Sequence, residues 1–171
     1  MKEIMMSIRP QWVVKILNGK KTVEIRKKFP KDYVGWVYIY CCKQRNNEIG
    51  CHINYKKVDG KVVARFWCDN VEEIICRPIC GEWECYTKTL GYSEIAKASC
   101  LENREIVHYL KGKNGKTIHI TKLEIFDKPK EISEFKVIDY FIEQPRINGW
   151  VKQEIYKPLT KAPQSWCYVE E

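Results

Sequence analysis

Six charged side chains crowd the stretch GKKTVEIRKKF, Gly19 to Phe29: Lys20, Lys21, Glu24, Arg26, Lys27 and Lys28. From Thr22 the residues alternate. Val23 and Ile25 turn to one side, while Thr22, Glu24 and Arg26 turn to the other, so the stretch reads as a strand with one apolar and one ionic face. Glu24 and Arg26, two apart, share the ionic face. Lys21 stands in the preceding turn, where alternation does not set its direction. A carboxylate among cations at this spacing has two uses. As an exposed ion pair it adds about 0–1 kcal/mol of stability and no chemistry. At the rim of a cleft it orients the cations toward a phosphate or a polar base edge.

Other residues carry suitable groups. Arg9, Lys20, Lys27 and Lys28 read as phosphate-attracting charges that position a ligand without reading its sequence. His119, in IHIT, lies on the face opposite Ile118 and Ile120, as a cleft residue or an ordinary half-buried histidine. Gln164, Ser165 and Trp166 offer an amide, a hydroxyl and a stacking plane. An amide can bond a base edge, and an indole stacked on a base contributes about 1–3 kcal/mol. For Trp166 the structural alternative is core packing. Trp12, on the apolar side of a helix, reads as core, and Trp36, Tyr38 and Tyr40 form an aromatic row on one strand face.

The whole chain agrees with an anionic partner. Its formal charge is +8, yet residues 1–31 hold nine Lys or Arg against only Glu3 and Glu24. A basic surplus confined to one segment points to something that neutralises it. At 171 residues and 44% apolar content the chain has room for one globular domain. No segment reads as a signal peptide or a membrane span, so the expected location is the cytoplasm with no membrane partner. Nine cysteines, with Cys41 and Cys42 adjacent, read as thiols rather than a disulfide framework. The spacing of Cys76, Cys80 and Cys85, even with Cys51-His52 as a fourth ligand, is too loose for a zinc knuckle. No metal or cofactor is expected.

These residues need elements to hold them. KEIMMSI reads as a strand. RPQWVVKILNG follows as a short helix, with Pro10 at its start and Gly19 at its left-handed end. GWVYIYCC reads as a strand, and KVVARFWCDNVEEII, residues 61–75, as one long strand. YSEIAKASC and ENREIVHYLKG read as two short helices, Thr117 to Phe126 as a strand, DKPKEISEF as a loop and APQSWCYVEE as a closing strand. Residues 137–160 read as an irregular inserted arm. About six strands without regular strand-helix alternation predict an α+β fold.

Gly19, Lys21, Glu24 and Arg26, in the pattern Gly-x-Lys-x-x-Glu-x-Arg directly after a helix, resemble the signature of the ASCH domain, a relative of the PUA RNA-binding domains. SIRPQWVVKILNG, YIYCC, KVVARFWCDNVEEI, IHITKLEIFDKPKEISEF and APQSWCYVEE also resemble parts of bacterial and phage ASCH proteins. The resemblance implies a PUA-like pseudo-barrel over residues 1–171, with 137–160 as an insertion. It also implies a cleft lined by the signature residues and an RNA, nucleotide or modified-nucleoside ligand. Some members resembling this chain are amidohydrolases that remove acetyl from N4-acetylcytidine, using a signature lysine to activate a threonine. Lys21 and Arg26 match that pattern, but the threonine position is Glu24, and a carboxylate does not replace a hydroxyl in forming an acyl-enzyme. A hydrolase built on Lys21 and Glu24, acting on a modified nucleoside or on RNA, would instead use Glu24 as general base on a water and Lys21 to stabilise the oxyanion. A third possibility is a protein-interaction module whose 137–160 segment buries a subunit contact.

Overall fold

The computed structural model describes residues 2–43, 58–147 and 149–171. Two compact units interleave along the chain. The first comprises Met1–Pro10, Val37–Ala64 and Phe126–Glu171, and the second Gln11–Trp36 and Arg65–Ile125.

In the first unit β1 (Glu3–Ile8) pairs antiparallel with β11 (Trp166–Val169) and parallel with β3 (Gly35–Cys41). Every residue of β1 from Ile4 onward is buried, as expected of a strand covered on both faces. Met5, Tyr38, Tyr40, Val62, Phe135, Leu159 and Val169 form the core. Two members of the aromatic row, Tyr38 and Tyr40, are therefore packing residues. The buried Tyr38 hydroxyl is satisfied by donating to the Glu171 carboxylate at 2.6 Å. The segment read as an irregular arm is a β-hairpin, β9 (Lys136–Arg146) against β10 (Gly149–Pro158).

The second unit begins with most of α1 (Pro10–Leu17), which buries Val13 and Ile16. Gly19 follows at φ 72°, the left-handed conformation that ends a helix at low cost when no Cβ is present. β2 (Val23–Arg26), β7 (Gly115–His119), β5 (Val71–Ile79) and β6 (Glu82–Tyr86) form an antiparallel sheet in that order. α2 (Tyr92–Ser99) and α3 (Asn103–Leu110) supply Ile95, Ile106 and Leu110 to a core with Ile25, Ile74, Cys76 and Cys85. Strands β4 (Val62–Cys68) and β8 (Thr121–Lys130) complete the described set.

The α+β class holds, with eleven strands among the described residues where about six were expected. The single strand expected over 61–75 breaks at Asp69-Asn70, both turn formers, and β5 then runs on to Ile79. Cys80 and Gly81, both at positive φ, make a tight two-residue turn into β6. The strand expected over Thr117–Phe126 breaks at Ile120, and much of the expected 127–135 loop is the end of β8 and a 3-10 turn.

That hairpin corrects the cysteine reading. Cys76 and Cys85 are register partners joined by a disulfide, and Cys80 is exposed at the turn between them. Their spacing is that of a hairpin, not of a ligand set. Among the described residues no group of His, Cys, Asp and Glu could hold a metal; Cys51-His52 lies outside them. Cys41 and Cys68 are free, and burial pushes each thiol up to about 12. Among the described residues no helix is long and apolar enough to cross a membrane.

Candidate functional site

The GKKTVEIR stretch folds into a compact ionic triad. Its turn is fixed by backbone bonds, from Lys21 N to the Lys15 carbonyl and from Thr22 N to the Ala98 carbonyl, each 2.9 Å. These bonds aim Lys21 inward, a direction that alternation could not set. The Lys21 side chain is 2% exposed, and its ammonium donates to the Ser99 carbonyl oxygen at 2.7 Å. The same ammonium lies 3.2 Å from Glu24 Oε2. On the other carboxylate oxygen, Arg26 Nη2 approaches Glu24 Oε1 at 3.1 Å. Glu24 therefore spans both cations, one on each oxygen. The Trp12 ring, with Lys21 Nζ at 5.4 Å and Lys15 Nζ at 4.7 Å from its centroid, adds a cation–π contact.

All four residues of β2 are buried, so its ionic face is covered as fully as its apolar one. This excludes the exposed ion pair as a description of the triad. Chemically, an oriented carboxylate now holds two cations with one net positive charge left over, in surroundings that screen it less than bulk water.

Other expected site residues fall into separate groups. Lys20 and Thr22 are exposed. Strand register pairs Val23 with His119 and Glu24 with Ile118. Directly opposed residues point to one side of a sheet, so His119 shares the face of Val23, opposite that of Glu24. His119 Nδ1 is 3.9 Å from Asp69 Oδ1, and its Nε2 is buried with no hydrogen-bond partner among the described residues. Arg9, Gln164, Ser165 and Trp166 belong to the first unit, where register brings them to one end of β1. Met6 pairs with Trp166, and Ser7 N donates to the Ser165 carbonyl at 3.0 Å. Arg9 and Gln164 are exposed there, and Trp166 is half-buried with its ring edge-on to Tyr168.

Two contributors had escaped the sequence reading. The Ser99 carbonyl, at the end of α2, has no side-chain signal that could reveal it. Trp12, expected in the core, also faces two ammonium groups, and its place one helical turn before Lys15 is the signal in the sequence.

The fold described above is that of an ASCH-type protein. The crystal structure of ASCH from Zymomonas mobilis matches this chain with a TM-score of 0.59 at 16% identity, covering 99% of this chain and 89% of that one. A serine-to-alanine variant of that protein matches with a TM-score of 0.59 at 14% identity and the same coverage. A tyrosine-to-phenylalanine variant matches with a TM-score of 0.52 at 17% identity over 77% of each chain. At such identities the likeness is one of fold. Neither a family model nor a curated protein sequence matches the chain.

Proposed function

We propose that this chain is an ASCH-type domain that binds RNA or a nucleotide at a site organised by Lys21, Glu24 and Arg26. The observation that carries the reading is the burial of the triad with Glu24 bridging both cations. Desolvating such charges costs several kcal/mol per ion, and an apolar cluster of equal volume is often as stable or more so. A role beyond stability accounts for keeping them. In this scheme Lys21 neutralises and orients Glu24, Glu24 fixes the Arg26 guanidinium, and Arg26 with Lys20 meets the phosphate or base edge. Arg9, Gln164, Ser165 and Trp166 form a second contact group, with His119 as a further polar contact. We read residues 1–171 as one such domain of bacterial or phage type, with the 137–160 hairpin as its insertion and the cytoplasm as its location.

The test is a panel of modified nucleosides and short RNAs, assayed for binding and turnover with wild type and Lys21→Met. The proposal expects wild type to bind RNA and the folded variant to bind about tenfold more weakly, a difference of about 1.4 kcal/mol. Equal affinity with equal salt dependence would refute it. The 3.2 Å approach of Lys21 to Glu24 favours a second reading, a hydrolase of an N4-acetylcytidine-like nucleoside or of RNA. Turnover by wild type that vanishes in Lys21→Met would put that reading first.

A further inference from the structure

The triad is too enclosed to supply many phosphate contacts. Lys21 is committed to Ser99 and Glu24. A track of several phosphates needs further cations nearer the surface, and the second unit gathers several at one end of its sheet. Arg26, the last residue of β2, is the register partner of Lys116 on β7. Gly115 holds this corner tight: a Cβ there would lie 2.6 Å from Leu110 Cδ2 on α3 and 3.0 Å from the Arg26 carbonyl oxygen. The end of β2, the start of β7 and the last turn of α3 are thus in contact. Lys27 leaves β2 at this point with its ammonium 5.2 Å from the Tyr109 ring centroid on α3. Lys111 and Lys113 leave α3 beside it, both exposed. Glu73, the register partner of Lys116, is also bonded by Asn114 at 3.3 Å and offsets part of the charge.

Aromatic surface accompanies the lysines. Trp83 is 43% exposed, and its indole lies against Gly112, where a Cβ would come within 3.1 Å of Cη2. Gly112 sits at φ 64°, so the chain passes under the indole between Lys111 and Lys113. Cations at a helix C-terminus complement its dipole, which explains Lys111 and Lys113 taken alone. It does not explain Lys27 and Lys116, which come from the sheet, or an uncovered indole among them.

Building on the proposed RNA-binding function, we propose that this corner binds the backbone of single-stranded RNA. Lys27, Lys111, Lys113 and Lys116 contact phosphates, and Trp83 stacks on a base. Lysine side chains meeting phosphates without reading bases suit a sequence-tolerant track, and a stacked indole suits an unpaired base.

The experiment measures the affinity of a fluorescein-labelled dodecauridine by anisotropy between about 50 and 200 mM KCl. The triple variant Lys27→Ala, Lys111→Ala, Lys113→Ala is compared with a control triple of exposed lysines elsewhere, Lys88→Ala, Lys128→Ala, Lys161→Ala. For a single strand each lost phosphate contact flattens the logarithmic salt slope by about 0.7, so the first triple is expected to lose about 2 and the control close to none. Trp83→Leu is expected to weaken binding at least about fivefold with the slope unchanged. If wild type binds and the first triple keeps its slope, or if both triples lose it equally, the corner is not the track while the RNA-binding reading stands. If wild type does not bind at any of these salt concentrations, that reading and this one fail together.

Discussion

Strand β2 and the β9–β10 hairpin invert the usual rule in opposite directions. β2 buries Glu24 and Arg26 beside the buried Lys21, while the hairpin leaves Trp150 71% and Phe141 46% exposed. Residue type alone would have exchanged them. The difference lies in what each group can find nearby. The β2 charges find one another and a carbonyl within 3.2 Å, which makes burial tolerable. The hairpin aromatics sit on a two-stranded ribbon, which has too little surface of its own to cover them. Phe141 is met instead by Lys152, whose ammonium lies 4.0 Å from its ring centroid. Burial in this protein follows the partners a group has, so each region can be broken by removing a partner.

The largest effect is expected inside β2. Lys21→Met keeps the volume of the side chain and strands the Glu24 carboxylate with half its charge partners. The expected loss is about 3–5 kcal/mol, read as a fall in melting temperature at about 2–4 °C per kcal/mol. A loss below about 1 kcal/mol would mean that solvent already compensates Glu24.

A carboxylate held by hydroxyls makes an instructive intermediate. Glu72 on β5 accepts from Thr89 Oγ1 at 2.9 and 2.8 Å. Burial raises its pKa, but bonds from Thr87, Thr89 and Asn70 outweigh that and hold it below the ordinary glutamate value. A group depressed in the folded state stabilises fully above its unfolded pKa, and that contribution is lost as pH falls through the folded value. Glu72→Gln is therefore expected to cost about 1 kcal/mol at neutral pH and to flatten the acid side of the stability profile below about pH 4.5. An unaltered acid profile would remove Glu72 from the titrating set.

Smaller still is the effect of an exposed pair. Arg65 Nε lies 2.7 Å from Glu124 Oε2, and solvent screens both. Arg65→Ala is expected to cost no more than about 1 kcal/mol, part of it from the lost stacking of the guanidinium on Trp36, 4.3 Å from its ring centroid. At the far end, Trp150→Ser on the hairpin is expected to change stability by less than about 0.5 kcal/mol. A drop above about 2 kcal/mol, or one that depends on protein concentration, would show that the indole is covered in solution and would favour the protein-interaction reading.

Much of the scaffold was legible because single residues carry clear backbone consequences. Pro10 and Gly19 bracket α1, and alternation from Thr22 gave β2 and the shared face of Glu24 and Arg26. The break at Asp69-Asn70 was visible as turn residues but was overridden by the apolar residues on either side, and the Cys80-Gly81 turn falls in a stretch of mixed polarity that has no clear period. The hairpin over 136–158 hid for a different reason. Its exposed faces mix aromatics with charges, so neither strand shows the period-two contrast that burial of one face imposes. Of the site, the ionic grouping could be read from spacing. The inward turn of Lys21 could not, because it depends on the carbonyls of Lys15 and Ser99, which have no signature in residue type. The side of the sheet that His119 takes relative to Glu24 could not be read either, because it is set by register with β2 and not by its own alternation.

A double-mutant cycle between Lys21 and Glu24, using Lys21→Met and Glu24→Gln, most directly separates a triad kept for ligand from one kept for packing. Each variant is read twice, for thermal stability and for RNA affinity. The expected result is a coupling energy of about 1 kcal/mol or more in both quantities, because the same ion pair that tolerates burial also presents Arg26 to the ligand. Coupling in stability accompanied by RNA affinities that match wild type in all three variants would contradict it, leaving the triad as a structural tether between β2 and α2.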